Sequence, residues 1–379
     1  MHYSTVGDGG FVAGGPAVRP YSRISSTSLS LAAFAAVWSP VAGLALLPPM
    51  RVSALTPSFG AVATDVDLGA LSDAHWRELH TAFHSSGGLL LIRGQGKLSS
   101  APGAVKAFAR RFGPLEDNEK YFQMGLSHQL HPQHREILAV GNALGDNSML
   151  IRVQKGAELL WHCDDSFRSP QPLGSLFFCV EAPTEGAETW FASGTAALDA
   201  LPGPLRTDLE DHWCAIHDYN VLNERLREGN PDRPALSADV RAQNPPVLRP
   251  LVAHHPWSGL KSLYVPACHI ERIVRLRADD GGTEDNGGAV DDGEAEAESI
   301  LRSLVEHATA EKFTYRHRWR PGDCIVWDNR CTLHAPSAFD DTSQRRLMWR
   351  ITIEGCASQP VSNPIISASI RAHGQLVGL

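Results

Sequence analysis

The sequence predicts a mainly β fold with flanking helices, of the sandwich or jelly-roll kind. Three observations carry that prediction. From about residue 150 onward, short runs rich in strand formers succeed one another: "SLFFCVEAP", "ETWFAS", "KSLYVPA", "FTYRHRW", "DCIVWDN" and "MWRITIEG". They are separated by Gly, Pro and Asp, the residues that end strands and turn the chain. The helical pattern "GTAALDALPGPLRTDLEDH" interrupts them, and helices read as cover for the strands.

The elements come in order. "RVSALTPSFGAVATDVDLGA" (51–70) reads as a short strand and turn. In "SDAHWRELHTAFHSSG", Ser72 is placed to cap a helix, and Trp76, Leu79 and Phe83 fall on one helical face. "GLLLIRG" (88–94) reads as a buried strand. "APGAVKAFARRFGPL" reads as a second helix, stopped by Gly113-Pro114. Residues 278–299, "ADDGGTEDNGGAVDDGEAEAES", are Gly-rich and acidic, with hardly any large apolar side chain. Such a segment cannot bury a core and is expected to be a disordered surface insertion. "ILRSLVEHATA" then resumes as a helix.

Composition narrows the functional classes. The 379 residues suffice for one large domain or two ordinary ones. The net charge of −8 and the lack of a long Lys/Arg run argue against a nucleic-acid binder, which needs a basic footprint for phosphates. Seven scattered Cys without a C-x-x-C pair read as reduced thiols of an intracellular protein. Residues 1–50 differ from the rest: they are Gly/Ser-rich and acid-poor, and they end in the apolar "LAAFAAVWSPVAGLALLPP". That composition admits an organelle transit peptide, a membrane anchor or a disordered extension. The chain is accordingly cytoplasmic, or organellar if the extension is a transit peptide, with no firm membrane association expected.

"LLWHCDDSF" (159–167) holds a His, a Cys and two Asp within four positions. If this is a strand end, alternation points His162 and Asp164 one way and Cys163 and Asp165 the other. A neutral imidazole and a carboxylate are two ligands of the facial triad that binds Fe(II) and leaves three positions open. The third ligand should be a His from another strand. Context selects His334, which comes after the strand "CIVWDN", sits in a polar turn before another strand, and precedes Arg345, Arg346 and Arg350.

With these residues in place, the chain resembles the iron(II)- and 2-oxoglutarate-dependent dioxygenases of the taurine dioxygenase and 2,4-dichlorophenoxyacetate dioxygenase (TauD/TfdA) family. "LTPSFGAVATDVDLGALSD", "GLLLIRGQ" and "FARRFGPLE" resemble the family's N-terminal part. "LLWHCDDSFRSPQPLGSLFFCVEAPTEGAETWFA" resembles its iron-binding strand and the segment after that strand. "HPWSGLKSLYV" and "YRHRWRPGDCIVWDNRCTLHAPSAFDD…RRLMWRITI" resemble its C-terminal core. The order is the family's, and the herbicide-degrading branch is the nearer one.

The resemblance implies a cupin-like double-stranded β-helix over residues 51–357, between the extension 1–50 and a C-terminal tail 358–379. It implies Fe(II) held by His162, Asp164 and His334, with 2-oxoglutarate and O₂ as cosubstrates. Arg346 then anchors the distal carboxylate of 2-oxoglutarate, for which the planar guanidinium fork is suited. Thr189 helps to hold the same cosubstrate, although "GAET" departs from the usual Gly-Gly-Asp-Thr at Ala187 and Glu188. Arg350 grips an anionic group of the prime substrate, such as an aryloxyalkanoate-like carboxylate or a sulfonate. The implied reaction releases succinate and CO₂ and hydroxylates a C–H bond, with cleavage where the new hydroxyl makes the product collapse. Asp164 argues against the related halogenases, which carry a small residue there. The alternatives are a non-catalytic jelly-roll binder or an oxygenase with a neutral substrate. Asp165, Asp328 and Asn329 are expected to stabilise turns, and homo-oligomerisation is left open.

Overall fold

In the computed structural model, residues 49–119, 129–142, 161–228, 235–276 and 294–355 are described. The extension 1–48 and the tail 356–379 lie outside them. Eight strands form the main sheet: β1 (Arg51–Ala54), β2 (Ala61–Thr64), β3 (Leu89–Ile92), β4 (Leu130–His131), β5 (His134–Gly141), β6 (Gly174–Glu181), β14 (Cys324–Asp328) and β16 (Leu347–Ile353), in the order β1-β2-β3-β14-β6-β16-β5-β4. All neighbours are antiparallel except β2 and β3.

Period-two alternation decides what each strand buries. Leu90, Val326, Leu176 and Ile351 face one side of the sheet, where α1 (Asp73–Ser85) and α2 (Pro102–Ala109) supply Leu79, Phe83, Val105 and Phe108. Leu91, Trp327, Cys179 and Met348 face the other side. There they meet Phe191 of a second sheet, β13-β7-β15, made of Thr314–His317, Thr189–Ser193 and Thr332–Pro336. The far side of this second sheet is apolar too. Ala192 and Leu333 join a cluster with Ala197 and Leu198 of α3 (Gly194–Asp199), Leu304 of α7 (Glu294–Ala308), and the sheet β12-β8-β9 (Ile270–Arg275, Trp213–His217, Val247–Pro250). A short pair, β10 (Val252–His254) and β11 (Lys261–Leu263), completes the sheets.

Several expectations are met at the level of single residues. Ser72 caps α1, its hydroxyl accepting the His75 N–H at 3.2 Å, and Leu79 and Phe83 are fully buried. Burying each is worth about 1.5–3 kcal/mol. β3 is buried along its whole length. The helical run 194–212 divides at Leu201-Pro202 into α3 and α4 (Gly203–His212), because proline cannot continue a helix but starts one well. The structure also contains α5 (Tyr219–Glu228) and α6 (Ala238–Gln243).

Two expectations need correction. The composition bounds the acidic insertion at 278–299, but α7 begins at Glu294. Its first residues, "EAEAES", are mostly strong helix formers and continue into the amphipathic run after them. Residues 277–293 lie outside the described part. His334 does not sit in a turn: it is the centre of β15 and is buried. Among the described residues no helix is long and apolar enough to cross a membrane.

Candidate metal and cosubstrate site

His162 joins the second sheet by a single bridge to His334. His162 N–H donates to the His334 carbonyl at 2.9 Å, and His334 N–H donates back at 2.8 Å. This pair of bonds sets the two imidazoles side by side, ring centres 4.0 Å apart. The expected strand ends there, since Asp164–Phe167 is a turn with Asp165 at φ 49°. The turn, not strand alternation, brings Asp164 back toward His162.

Asn329 fixes that turn. Its Nδ2 donates to the Asp164 carbonyl at 3.2 Å, and its Oδ1 accepts from the Asp164 N–H at 3.3 Å and from Trp327 Nε1 at 3.2 Å. Ser175 Oγ donates to Asp164 Oδ2 at 2.7 Å. Oδ1 then faces His334 Nε2 at 3.7 Å, His162 Nε2 at 3.9 Å and the Arg350 guanidinium at 3.2 Å. One donor atom from each of His162, Asp164 and His334 falls within a common span of 4.8 Å.

The electrostatics suit a cation. Burial alone would raise the Asp164 carboxyl, but Arg350, His334, His162 and the Ser175 hydroxyl together hold it well below the usual carboxylate range. Asp164 is therefore an anion at neutral pH. Burial keeps the His334 imidazole well below its ordinary value, so it is neutral with a lone pair to give. Two imidazole nitrogens and one carboxylate oxygen, clustered with nothing bridging them covalently, fit the facial triad of a divalent iron site.

Two further polar residues, Thr189 and Arg346, are buried. Thr189 stands two positions from Phe191, which pairs with His334 across β7 and β15. Trp319 Nε1 donates to Thr189 Oγ1 at 2.9 Å, with both residues buried. An indole N–H is donor only, so the hydroxyl accepts from it and keeps its own proton for another acceptor. Arg346 is 7 % exposed, and among the described residues no carboxylate pairs with it. Its Nε has no partner, and burial pushes the guanidinium down to about 10. A buried cation lacking an acid is costly unless an anion joins it. Its backbone is pinned by Asn142, whose Oδ1 accepts the Arg346 N–H at 2.8 Å while its N–H donates to the Arg346 carbonyl at 3.1 Å. Gly141, at φ 144°, permits this approach: a Cβ there would lie 1.9 Å from the Arg346 carbonyl oxygen.

Residues 51–352 match the family model described as Taurine catabolism dioxygenase TauD, TfdA family. The chain belongs to the TauD/TfdA family. It is 34% identical over 306 residues to an alpha-ketoglutarate-dependent 2,4-dichlorophenoxyacetate dioxygenase of Cupriavidus pinatubonensis, covering 79% of this chain and 96% of that protein. It is 33% identical over 309 residues to an (S)-phenoxypropionate/alpha-ketoglutarate-dioxygenase of Sphingobium herbicidovorans, covering 81% and 96%. The crystal structure of AAD-2 in complex with Mn(II) and N-oxalylglycine matches with a TM-score of 0.63 at 26% identity, covering 82% of this chain and 98% of that one.

The TauD/TfdA motifs therefore meet in space as well as in order. His162, Asp164, His334 and Arg350 form one cluster, with Thr189 and Arg346 set around the inner face. Arg345, by contrast, points outward to Glu181 at 3.1 Å. Asp165 holds Arg168 at 3.2 Å and stabilises the turn. Asp328 is buried against His255 at 3.0 Å and the Arg330 guanidinium, so its cluster with His255 and Cys331 is already satisfied. Sequence reasoning missed Ser175, Trp319 and Asn142 as supports. Ser175 and Trp319 each act through one hydrogen bond and Asn142 through two to Arg346, and only Ser175 leaves a trace, as a polar residue on the inward parity of β6. Residues 120–128 and 143–160 lie outside the described residues.

Proposed function

We propose that this protein is an Fe(II)- and 2-oxoglutarate-dependent dioxygenase that hydroxylates a small anionic organic substrate, releasing succinate and CO₂. One observation carries the reading: the chain holds a His-Asp-His donor set and a buried arginine, Arg346, that pairs with no carboxylate among the described residues. His162, Asp164 and His334 would hold the iron, which when bound supplies the oxygen-activating chemistry. Arg346 and the Thr189 hydroxyl would take the distal carboxylate of 2-oxoglutarate through a guanidinium fork and a donated proton. Ser175, Asn329 and Trp327 orient Asp164 and spare the site any reorganisation. Arg350 would take the substrate's anionic group. A carboxylate or sulfonate is supported by the relatives, whose names specify dichlorophenoxyacetate, phenoxypropionate and sulfonate.

The two facing sheets support the finer description as a double-stranded β-helix, with residues 51–357 as the oxygenase domain. The six described cysteines are free and buried, which suits a reducing compartment. The test is an anaerobic titration of metal-free protein with Fe(II) and then 2-oxoglutarate. A weak visible charge-transfer band is expected. Its absence, with both ligands saturating, would leave a jelly-roll binder as the better reading. Succinate release across aryloxyalkanoates, other carboxylates, sulfonates and neutral analogues would then identify the substrate class.

A further inference from the structure

Helix α1 carries a second histidine pair, away from the iron triad. His80 and His84 stand one turn apart, the spacing that brings two side chains together on a helix. Their Nε2 atoms are 3.1 Å apart, and their ring centres are 4.4 Å apart at 73°. Two readings of this contact differ in geometry. A head-on N–H···N bond of that length would place the ring centres about 5.4 Å apart, because each ring extends about 1.15 Å behind its nitrogen. A shared metal at about 2.05 Å from each nitrogen would be subtended at about 98° and would place the centres about 4.8 Å apart. The observed separation is nearer the second value, so the ring axes are bent away from a head-on line.

The chemistry agrees. Burial lowers His80, and burial together with His80 and His255 lowers His84 to about 4, so both rings are neutral at neutral pH. His84 Nδ1 is buried without a partner. His255, 5.2 Å from His84 between ring centres, has both nitrogens engaged by Asp328 and Ser258 and does not join the pair. Trp257 covers the pair, lying 29° from parallel to His84 at 6.1 Å and edge-on to His80 at 6.3 Å, and is itself 66% exposed.

We propose that His80 and His84 form a metal site for a late first-row divalent ion, Cu(II), Ni(II) or Zn(II), with water completing its shell. Two imidazoles with no carboxylate select these ions over Mg(II) and Ca(II). The site shares no ligand with the triad, so it stands or falls independently of the proposed oxygenase activity.

The experiment is a calorimetric titration of full-length, metal-free protein with Ni(II) alone. The wild type should bind two ions per chain, one at each site. A His162→Ala/His334→Ala chain should keep one, and adding His80→Gln and His84→Gln should weaken that remaining ion at least tenfold. The Gln changes are confined to half-buried side chains, and an unchanged melting temperature confirms that the chain still folds. The proposal is overturned if the His162→Ala/His334→Ala chain binds no ion, or if its ion survives both Gln substitutions unweakened.

Discussion

The Arg350 guanidinium lies 3.2 Å from Oδ1 of Asp164, the oxygen that also faces both triad histidines. A cation thus shares the metal-facing atom of the acid expected to bind iron. Arg350 stands on the same strand face as Met348, pointing into the space between the sheets. From there it can compensate Asp164 and still reach an anion bound beside it.

Arg350→Ala should therefore raise the KM of the prime substrate while leaving that of 2-oxoglutarate within about twofold. Steady-state succinate assays with each substrate varied in turn will check this. Equal effects on both would remove the division of labour between Arg346 and Arg350, and a neutral best substrate would remove the anion claim.

Arg346→Ala should do the reverse. A charge-assisted pair of this kind contributes about 1.5–3 kcal/mol, so the KM for 2-oxoglutarate should rise on the order of tens to a hundredfold. Calorimetric affinity for 2-oxoglutarate on a Zn(II)-loaded chain gives the same answer without turnover. An unchanged affinity would reassign the arginine.

Trp319→Phe deletes the bond that turns the Thr189 proton away from the indole. One neutral hydrogen bond contributes about 0.5–1.5 kcal/mol, so 2-oxoglutarate binding should weaken roughly two- to tenfold. The effect should disappear in a Thr189→Ala background. If Trp319→Phe costs as much there, the indole acts by packing alone.

Asp165 sits at φ 49°, where asparagine is tolerated and alanine is strained. Asp165→Asn should keep near-wild-type turnover, and Asp165→Ala should lower the melting temperature by a few degrees through a cost of about 1 kcal/mol. Loss of activity in Asp165→Asn without loss of stability would make Asp165 part of the site.

Much of this architecture is legible in the chain. The apolar runs "LLLI", "SLFFCVE" and "CIVWD" mark buried strands, and Ser72 marks the start of α1 by its hydroxyl. The triad is legible because its motifs carry unusual residue types in a fixed order. The means by which the chain assembles it are not. Asp164 is delivered by a turn held by Asn329, 165 residues away, and Arg346 by Asn142, 204 residues away. Such long-range hydrogen bonds leave no periodicity. The start of α7 inside an acidic segment is hidden for the opposite reason, since Glu- and Ala-rich sequence reads equally as solvated chain until its apolar continuation packs.

The central claim is that His162, Asp164 and His334 together hold the iron. It is tested most directly by succinate formation from 2-oxoglutarate under air with Fe(II), in the wild type and in three Ala variants, alongside their melting temperatures. The account predicts turnover in the wild type and its loss in His162→Ala, Asp164→Ala and His334→Ala, with the fold retained. Near-wild-type succinate from any one of the three would contradict it.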